Sequence, residues 1–167
     1  IIGIINSDDF YFNKDIIATV ANQFKKTGVD ACYGNIQYID RDNIEKKVRF
    51  WRAGEYRKEK LRSGWIMPHP AFFVKRSVYE KYGLFNLDFK IAADYELMLR
   101  MFKKHNFKSK YINRLIIKMR LGGATNQSYT NIVNQNKEIL KAWKVNGLQA
   151  PFYLMPLRII KRLSQFI

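Results

Sequence analysis

Residues Ile1–Asp9 read IIGIINSDD. A short apolar run stops abruptly at Asn6-Ser7-Asp8-Asp9, the pattern of a buried parallel strand that delivers two carboxylates to its carboxyl end. In open α/β sheets, ligands bind just outside those ends. Adjacent carboxylates there can hold a divalent cation, and oxygen ligands suit Mg²⁺ or Mn²⁺. The same four residues would equally make a plain turn, since Asn, Ser and Asp recur in turns. The sequence has no initiator Met and opens inside the expected strand, so the expectation is the second half of a larger domain.

Working outward, Asn13 or Asp15 opens a helix with Ile16, Ile17, Val20 and Phe24 as its apolar face, stopped at Gly28 after Lys25 and Lys26. Ala31–Ile39 (ACYGNIQYI) reads as a strand, Asp40-Arg41-Asp42-Asn43 as a turn, and Ile44–Trp51 as the return strand of a hairpin. Glu55–Arg62 is short, very basic and helical in pattern. Ser63–Pro70, with Gly64, Pro68 and Pro70, is an irregular loop. A strand over Ala71–Val74, a helix over Ser77–Tyr82 ended by Gly83, and a loop over Leu84–Ile91 follow. Ala92–His105 is the strongest helical pattern. A strand over Lys110–Met119, a helix over Asn131–Val145 stopped by Gly147, and a last helix over Pro151–Phe166 complete the series. This alternation predicts an α/β fold.

The chain of 167 residues is long enough to bury a core, and 47% hydrophobic with 15% aromatic residues excludes a disordered composition. Thirty Lys and Arg against 14 Asp and Glu leave a formal net charge of +16, which predicts an anionic partner: nucleic acid, an anionic membrane face or a phosphorylated small molecule. The lone Cys32 excludes an internal disulfide, suits a reducing compartment and reads as a small core residue. No cleavable signal and no apolar run long enough to span a bilayer is visible.

A second constellation runs from Gly64 to Arg100, GWIMPHPAFFVKRSVYEKYGLFNLDFKIAADYELMLR. It places Asp94 in the first turn of the strongest helix, with Tyr95, Leu99 and Phe102 in one apolar row and Leu97, Met98 and Met101 beside it. The helix dipole favours the charged form of such a carboxylate and burial opposes it; a base working near neutral pH needs the second effect to compete. An ordinary first-turn Asp that satisfies free backbone N–H groups has the same sequence signature.

The order NSDD, hairpin, HPAFFVKRSVYEKYGLF, AADYELMLR and KMRLGGAT resembles the later half of a bacterial family 2 glycosyltransferase of GT-A fold, from Ile1 to about Ser128. The resemblance implies a partial GT-A fold, with a mixed sheet flanked by helices over residues 1–128 and a helical extension over 129–167. It implies an inverting transfer of a sugar from a nucleotide-sugar donor to a saccharide or lipid-linked hydroxyl in surface polysaccharide synthesis. Asp9 falls on the family's Mg²⁺ or Mn²⁺ ligand, Asp8 on its support, and Asp94 on the catalytic base. Many members carry an acidic residue just before that base, where this chain has Ala93. The resemblance also puts Arg120, Gly122 and Gly123 over the donor diphosphate, and Trp65 and His69 on the acceptor side. Turn chemistry explains Gly122-Gly123 as well, and loop packing explains Trp65 and His69. Tyr33-Gly34-Asn35 matches a family strand whose chemistry the sequence does not reveal. Because the earlier half of such a domain supplies much of the nucleotide pocket, weak donor binding and an open sheet edge are expected.

The final segment, PFYLMPLRIIKRLSQFI over 151–167, aligns Leu154, Leu157, Ile160 and Leu163 in one row, broadened by Ile159, Phe166 and Ile167. Arg158, Lys161 and Arg162 gather toward another side, as on a helix lying at an anionic membrane; a terminal helix docked on the protein has the same pattern. The expected location is therefore cytoplasmic, peripheral at the membrane's cytoplasmic face. Two rivals remain open: a non-catalytic remnant of such an enzyme, and a basic nucleic-acid-binding module, which explains the charge but neither NSDD nor AADYELMLR and lacks any nucleic-acid motif.

Overall fold

Ala31–Ile39 form a strand, β3, in which all nine residues are buried. The computed structural model describes residues 1–105, 107–122 and 129–163. Burial on both faces follows from period-two alternation with cover on each side. Cys32, Ile36 and Tyr38 pack with Ile16, Val20 and Phe24 of helix α1 (Ile16–Thr27), together with Phe73, Ile116 and Ile117. The polar positions of the other set have internal partners. Tyr33 donates its hydroxyl to Gly54 O at 2.8 Å. Asn35 Oδ1 accepts the Ala53 N–H at 3.0 Å and the Tyr111 hydroxyl at 2.7 Å. These bonds satisfy a buried amide oxygen that would otherwise be costly.

The sheet is mixed, in the order β1 (Ile2–Gly3), β5 (Phe72–Val74), β3, β6 (Ser109–Arg120) and β2 (Phe10–Tyr11). Strand β6 (Ser109–Arg120) runs parallel to β3, while β5 (Phe72–Val74) and β4 (Lys47–Trp51) pair antiparallel with successive parts of its other edge. The β3–β4 hairpin is thus as expected from Asp40–Asn43, with a return strand that begins at Lys47 rather than Ile44. The β3–β6 register slips at Gly34 and Asn35. A Cβ on Gly34 would lie 2.3 Å from Ile116 Cγ1 and 3.1 Å from the Arg114 and Ile112 carbonyl oxygens. Close backbone approach therefore accounts for the glycine in Tyr33-Gly34-Asn35.

Three expectations need correction. The apolar run at the start is not a central, buried parallel strand. Only Ile2–Gly3 pair, as β1, antiparallel to β5 at the sheet's edge, and Ile1, Ile4 and Ile5 are exposed. An apolar strand is buried only where other elements cover its faces, and at this end of the chain that cover is incomplete. Second, Ile17 lies on the exposed side of α1, because the buried stripe follows the i, i+4, i+8 positions Ile16, Val20 and Phe24. Third, the helix expected over 92–105 changes winding. It is α-helical over Ala93–Leu99 (α4) and π-helical over Arg100–Lys104, with the His105 N–H donating to Arg100 O, five residues back. An unanticipated strand, β2 (Phe10–Tyr11), pairs with Lys118 and Ile117 of β6.

The chain divides into two compact units, each assembled from three segments: Ile1–Tyr56, Met67–Lys81 and Phe107–Leu121 in the first, and Arg57–Ile66, Tyr82–Asn106 and Gly122–Ile167 in the second. The first holds the sheet and α1. Helix α3 (Arg76–Tyr82) follows β5. The second holds α2 (Lys58–Arg62), α4 with its π turn, α5 (Tyr129–Val145) and α6 (Leu154–Leu163). Its core gathers Phe89, Tyr95, Leu99, Ile139, Trp143 and Leu154, with the Trp143 Nε1–H donating to the Tyr95 hydroxyl at 2.9 Å. Glu138 of α5 accepts the backbone N–H groups of Lys90, Ile91 and Ala92 at 3.0, 2.9 and 2.7 Å. One carboxylate thus ties down the approach to α4.

Candidate functional site: the Asp9–Arg120 corner

Within the first unit, the turn between β1 and β2 presents Asp8 and Asp9. Asp9 is half-buried and Asp8 exposed. The Asn6 side-chain amide donates to Asp9 Oδ2 at 2.7 Å, and the Asp9 N–H donates to Asn6 O at 3.2 Å, so the turn is closed on both sides. The Arg120 N–H, at the end of β6, donates to Asp9 Oδ1 at 3.1 Å. Asp9 is thereby fixed beside the point where β3 and β6 end, since Ile39 and Arg120 are register partners. Burial raises the Asp9 carboxyl above its ordinary value; the bonds from Asn6 and the Arg120 backbone oppose this, while the neighbouring Asp8 charge adds to the rise. Positive charge near this corner therefore stabilises the ionised carboxyl.

Arg120 supplies part of that charge. Its Nη1 donates to Arg41 O at 3.1 Å, which anchors the guanidinium against the β3–β4 turn. Its Nε is buried without a hydrogen-bond partner among the described residues. A buried donor left unused costs about 1–3 kcal/mol unless an acceptor reaches it. The corner thus combines two carboxylates with an anchored cation that has a donor to spare. That set fits a cation–diphosphate pair. Mg²⁺ is held by one or two carboxylates plus phosphate oxygens and water, so a closed cage of three protein ligands is not required. Among the described residues, no group of three or more His, Cys, Asp or Glu side chains could hold a metal by itself.

The remaining candidates are distributed as follows. His69 belongs to the first unit, in a 3-10 turn (His69–Ala71) before β5. Trp65, Asp94 and Gly122 belong to the second unit, and Gly123 lies outside the described residues. Trp65 is half-buried, with Lys60 Nζ 5.1 Å from its ring centre. Gly122 is exposed at φ 110, a left-handed conformation suited to glycine. Asp94 is half-buried in the first turn of α4 and its Oδ1 accepts the Tyr95 N–H at 2.7 Å, the ordinary first-turn role. Its Oδ2 accepts no hydrogen bond among the described residues. The nearby Glu96, a natural substitute base by sequence, is excluded. It is 2% exposed and is bound by Arg100 Nε at 3.0 Å and by the Asn146 side-chain amide at 3.0 Å.

Sequence reasoning overlooked the carbonyl of Arg41 and the side chain of Asn6, both of which shape this corner. The Asn three residues before Asp9 was a signal for the latter, since short Asn side chains close such turns. Cys32 is a buried free thiol, pushed by burial up to about 11, consistent with a core role. Leu154, the first member of the apolar row of 151–167, is fully buried in the second unit's core, so this row is not free as a whole to enter a membrane. Phe166 and Ile167 lie outside the described residues. Among the described residues, no helix is long and apolar enough to cross a membrane.

No protein-family model matches the chain, and no curated protein matches it either.

Proposed function

We propose that this chain carries the later half of an inverting, metal-dependent glycosyltransferase of GT-A type, which moves a sugar from a nucleotide-sugar donor to a saccharide or lipid-linked hydroxyl. The observation that carries the reading is the Asp9–Arg120 corner. There the half-buried Asp9, with the exposed Asp8 beside it, adjoins Arg120, whose Nε has no hydrogen-bond partner among the described residues. The order of motifs along the chain supports it independently.

In this reading Arg120 binds the donor diphosphate through the donor it leaves unused, and the anchor to Arg41 limits the entropy lost when it does so. Asp8 and Asp9 would hold the divalent cation, which when bound offsets the charge of the leaving diphosphate. By the family resemblance, Asp94 would accept the proton of the acceptor hydroxyl through Oδ2 as the hydroxyl oxygen attacks the anomeric carbon. A carbon–oxygen bond forms to the acceptor, the bond to the diphosphate breaks, and the proton ends on Asp94. A single displacement of this kind inverts the anomeric configuration and needs no second, nucleophilic carboxylate.

The test is to incubate the chain with a panel of nucleotide-sugars and free saccharide acceptors, and to follow release of nucleoside diphosphate with Mn²⁺ or with excess chelator. Binding of nucleoside diphosphates to the chain is measured in the same two conditions. Weak but cation-dependent binding is expected, with the inverted configuration in any product formed. Undiminished turnover or binding in chelator would overturn the reading.

A further inference from the structure

The second unit carries a cluster of cations that the transferase reading does not use. Lys58 and Arg62 stand four residues apart on α2, so they lie side by side on one face of a five-residue helix, and both are exposed. The third member, Lys103, comes from the π-helical turn and is half-buried. Burial lowers the Lys103 ammonium below its ordinary value, and the charges of Lys58 and Arg62 lower it further, against a smaller opposing pull from Glu59. No carboxylate lies within ion-pair distance of Lys58, Arg62 or Lys103 among the described residues. Like charges at this spacing destabilise a helix, and a third cation on the π-helical turn, which packs against α2, adds to the cost.

The uncharged group beside the cluster also has a definite polarity. Arg62 Nε donates to the Tyr153 hydroxyl oxygen at 3.2 Å, which leaves the Tyr153 proton to be donated elsewhere. Two ammonium groups, the outer edge of a guanidinium and a phenol O–H are the donors that a phosphoryl group with three acceptor oxygens requires. Next to Tyr153 stands Phe152, 95% exposed and in edge-to-face contact with the Tyr153 ring, centres 5.3 Å apart. An aromatic ring left in water beside a phosphate-sized cluster of cations suits a headgroup–acyl boundary.

We propose that Lys58, Arg62, Lys103 and Tyr153 form a phosphoryl-binding site, with an anionic lipid headgroup as its source and Phe152 entering the adjoining acyl boundary. The site stands apart from the transferase reading, because it uses none of Asp8, Asp9, Asp94 or Arg120.

The full chain is compared with the triple variant K58Q/R62Q/K103Q and with a charge-matched control, K25Q/K26Q/K47Q, altered at exposed lysines of the first unit. Binding is measured to phosphatidylcholine vesicles with and without phosphatidic acid, and separately to inorganic pyrophosphate. Melting temperatures establish that each variant is folded, and the single variant K103M repeats the comparison should the triple variant melt early. Each removed cation should weaken vesicle binding about fivefold, so the triple variant should lose on the order of 10²-fold while the control loses far less. Loss confined to the vesicles assigns the phosphoryl group to a lipid; loss confined to pyrophosphate keeps the site and reassigns its ligand to a soluble phosphate. Equal losses in the triple variant and the control would overturn the site and leave only the general attraction of a basic protein.

Discussion

Asp9 and Arg120 stand 111 positions apart in the chain and are joined through the Arg120 N–H and Asp9 Oδ1 at 3.1 Å. The bond belongs to the backbone of Arg120, so it survives any change of that side chain. The guanidinium remains held by Arg41 O and free to serve an anion through Nε. The two residues therefore answer to different tests.

For Asp9→Asn, cation-dependent binding of a nucleoside diphosphate is expected to fall by at least an order of magnitude, because a neutral amide does not offset cation charge. Its folded stability follows the opposite logic. The Asp9 carboxyl is raised by burial, so what it contributes to stability is present below its unfolded value of 3.8 and lost as pH rises through the folded value. At pH 7 the amide should leave the melting temperature no lower than that of the parent. Loss of fold in place of loss of binding would assign Asp9 a purely structural role.

Replacement of Asp94 by Asn should lower turnover by about 10²–10⁴-fold, the usual contribution of a general base, and leave donor binding intact. The amide keeps an oxygen for the Tyr95 N–H, so the first turn of α4 persists. Steady-state kinetics with separately measured donor affinity check this. Near-native turnover would move the base elsewhere, with His69 as the next group to test.

Arg100→Met should be costly to folding. Arg100 also donates to the Tyr82 carbonyl, to Gly83 O at 3.2 Å and to Leu84 O at 2.6 Å. Its loss leaves Glu96, whose side chain is 3% exposed, as an uncompensated buried charge. Breaking such a pair costs about 3–5 kcal/mol. Urea unfolding should show that loss for the single variant and a partial recovery when Glu96→Gln is added. The same loss in both variants would mean that the carbonyl contacts, not the ion pair, carry the effect.

Glu138 gives the expected pH dependence. Burial tends to raise its carboxyl, but the bonds from the Ala92, Ile91 and Lys90 N–H groups, with the charge of Lys141, outweigh it and leave the value lowered. A lowered carboxyl stabilises the fold above the unfolded value of 4.5, and that contribution is lost as pH falls through the folded value. The melting temperature of Glu138→Gln, measured from pH 7 to pH 3, should therefore begin below the parent's and converge on it toward acid. A constant difference across that range would show that charge on Glu138 is not what holds residues 90–92.

What the sequence makes legible is what local periodicity encodes. Ala31–Ile39 matches β3 to the residue, because nine residues closed by an Asp-Arg-Asp-Asn turn leave little choice. Asn131–Val145 falls within α5 for the same reason. Two-residue strands such as β2 carry no period at all, and exposure of Ile1, Ile4 and Ile5 depends on which strands lie alongside. The corner was legible in residue type but not in contacts. No spacing relates Asp9 to Arg120, Lys103 to Lys58, or Glu138 to residues 90–92, since each pair is joined only by the tertiary fold.

The chain passes between its two compact units five times, at 56/57, 66/67, 81/82, 106/107 and 121/122. No single cut can therefore separate the two units: a break at any one of these points divides at least one of them between the two fragments. Fragment expression is a poor instrument for assigning their roles, and so is deletion mapping. Single-residue substitution, with hydrogen exchange to report which unit has loosened, is the form of dissection this connectivity permits. Chain-separated contacts in both units also put loop closure ahead of the contacts that reward it, which favours slow folding. Low temperature and low concentration during refolding are the matching conditions for recovering the intact chain.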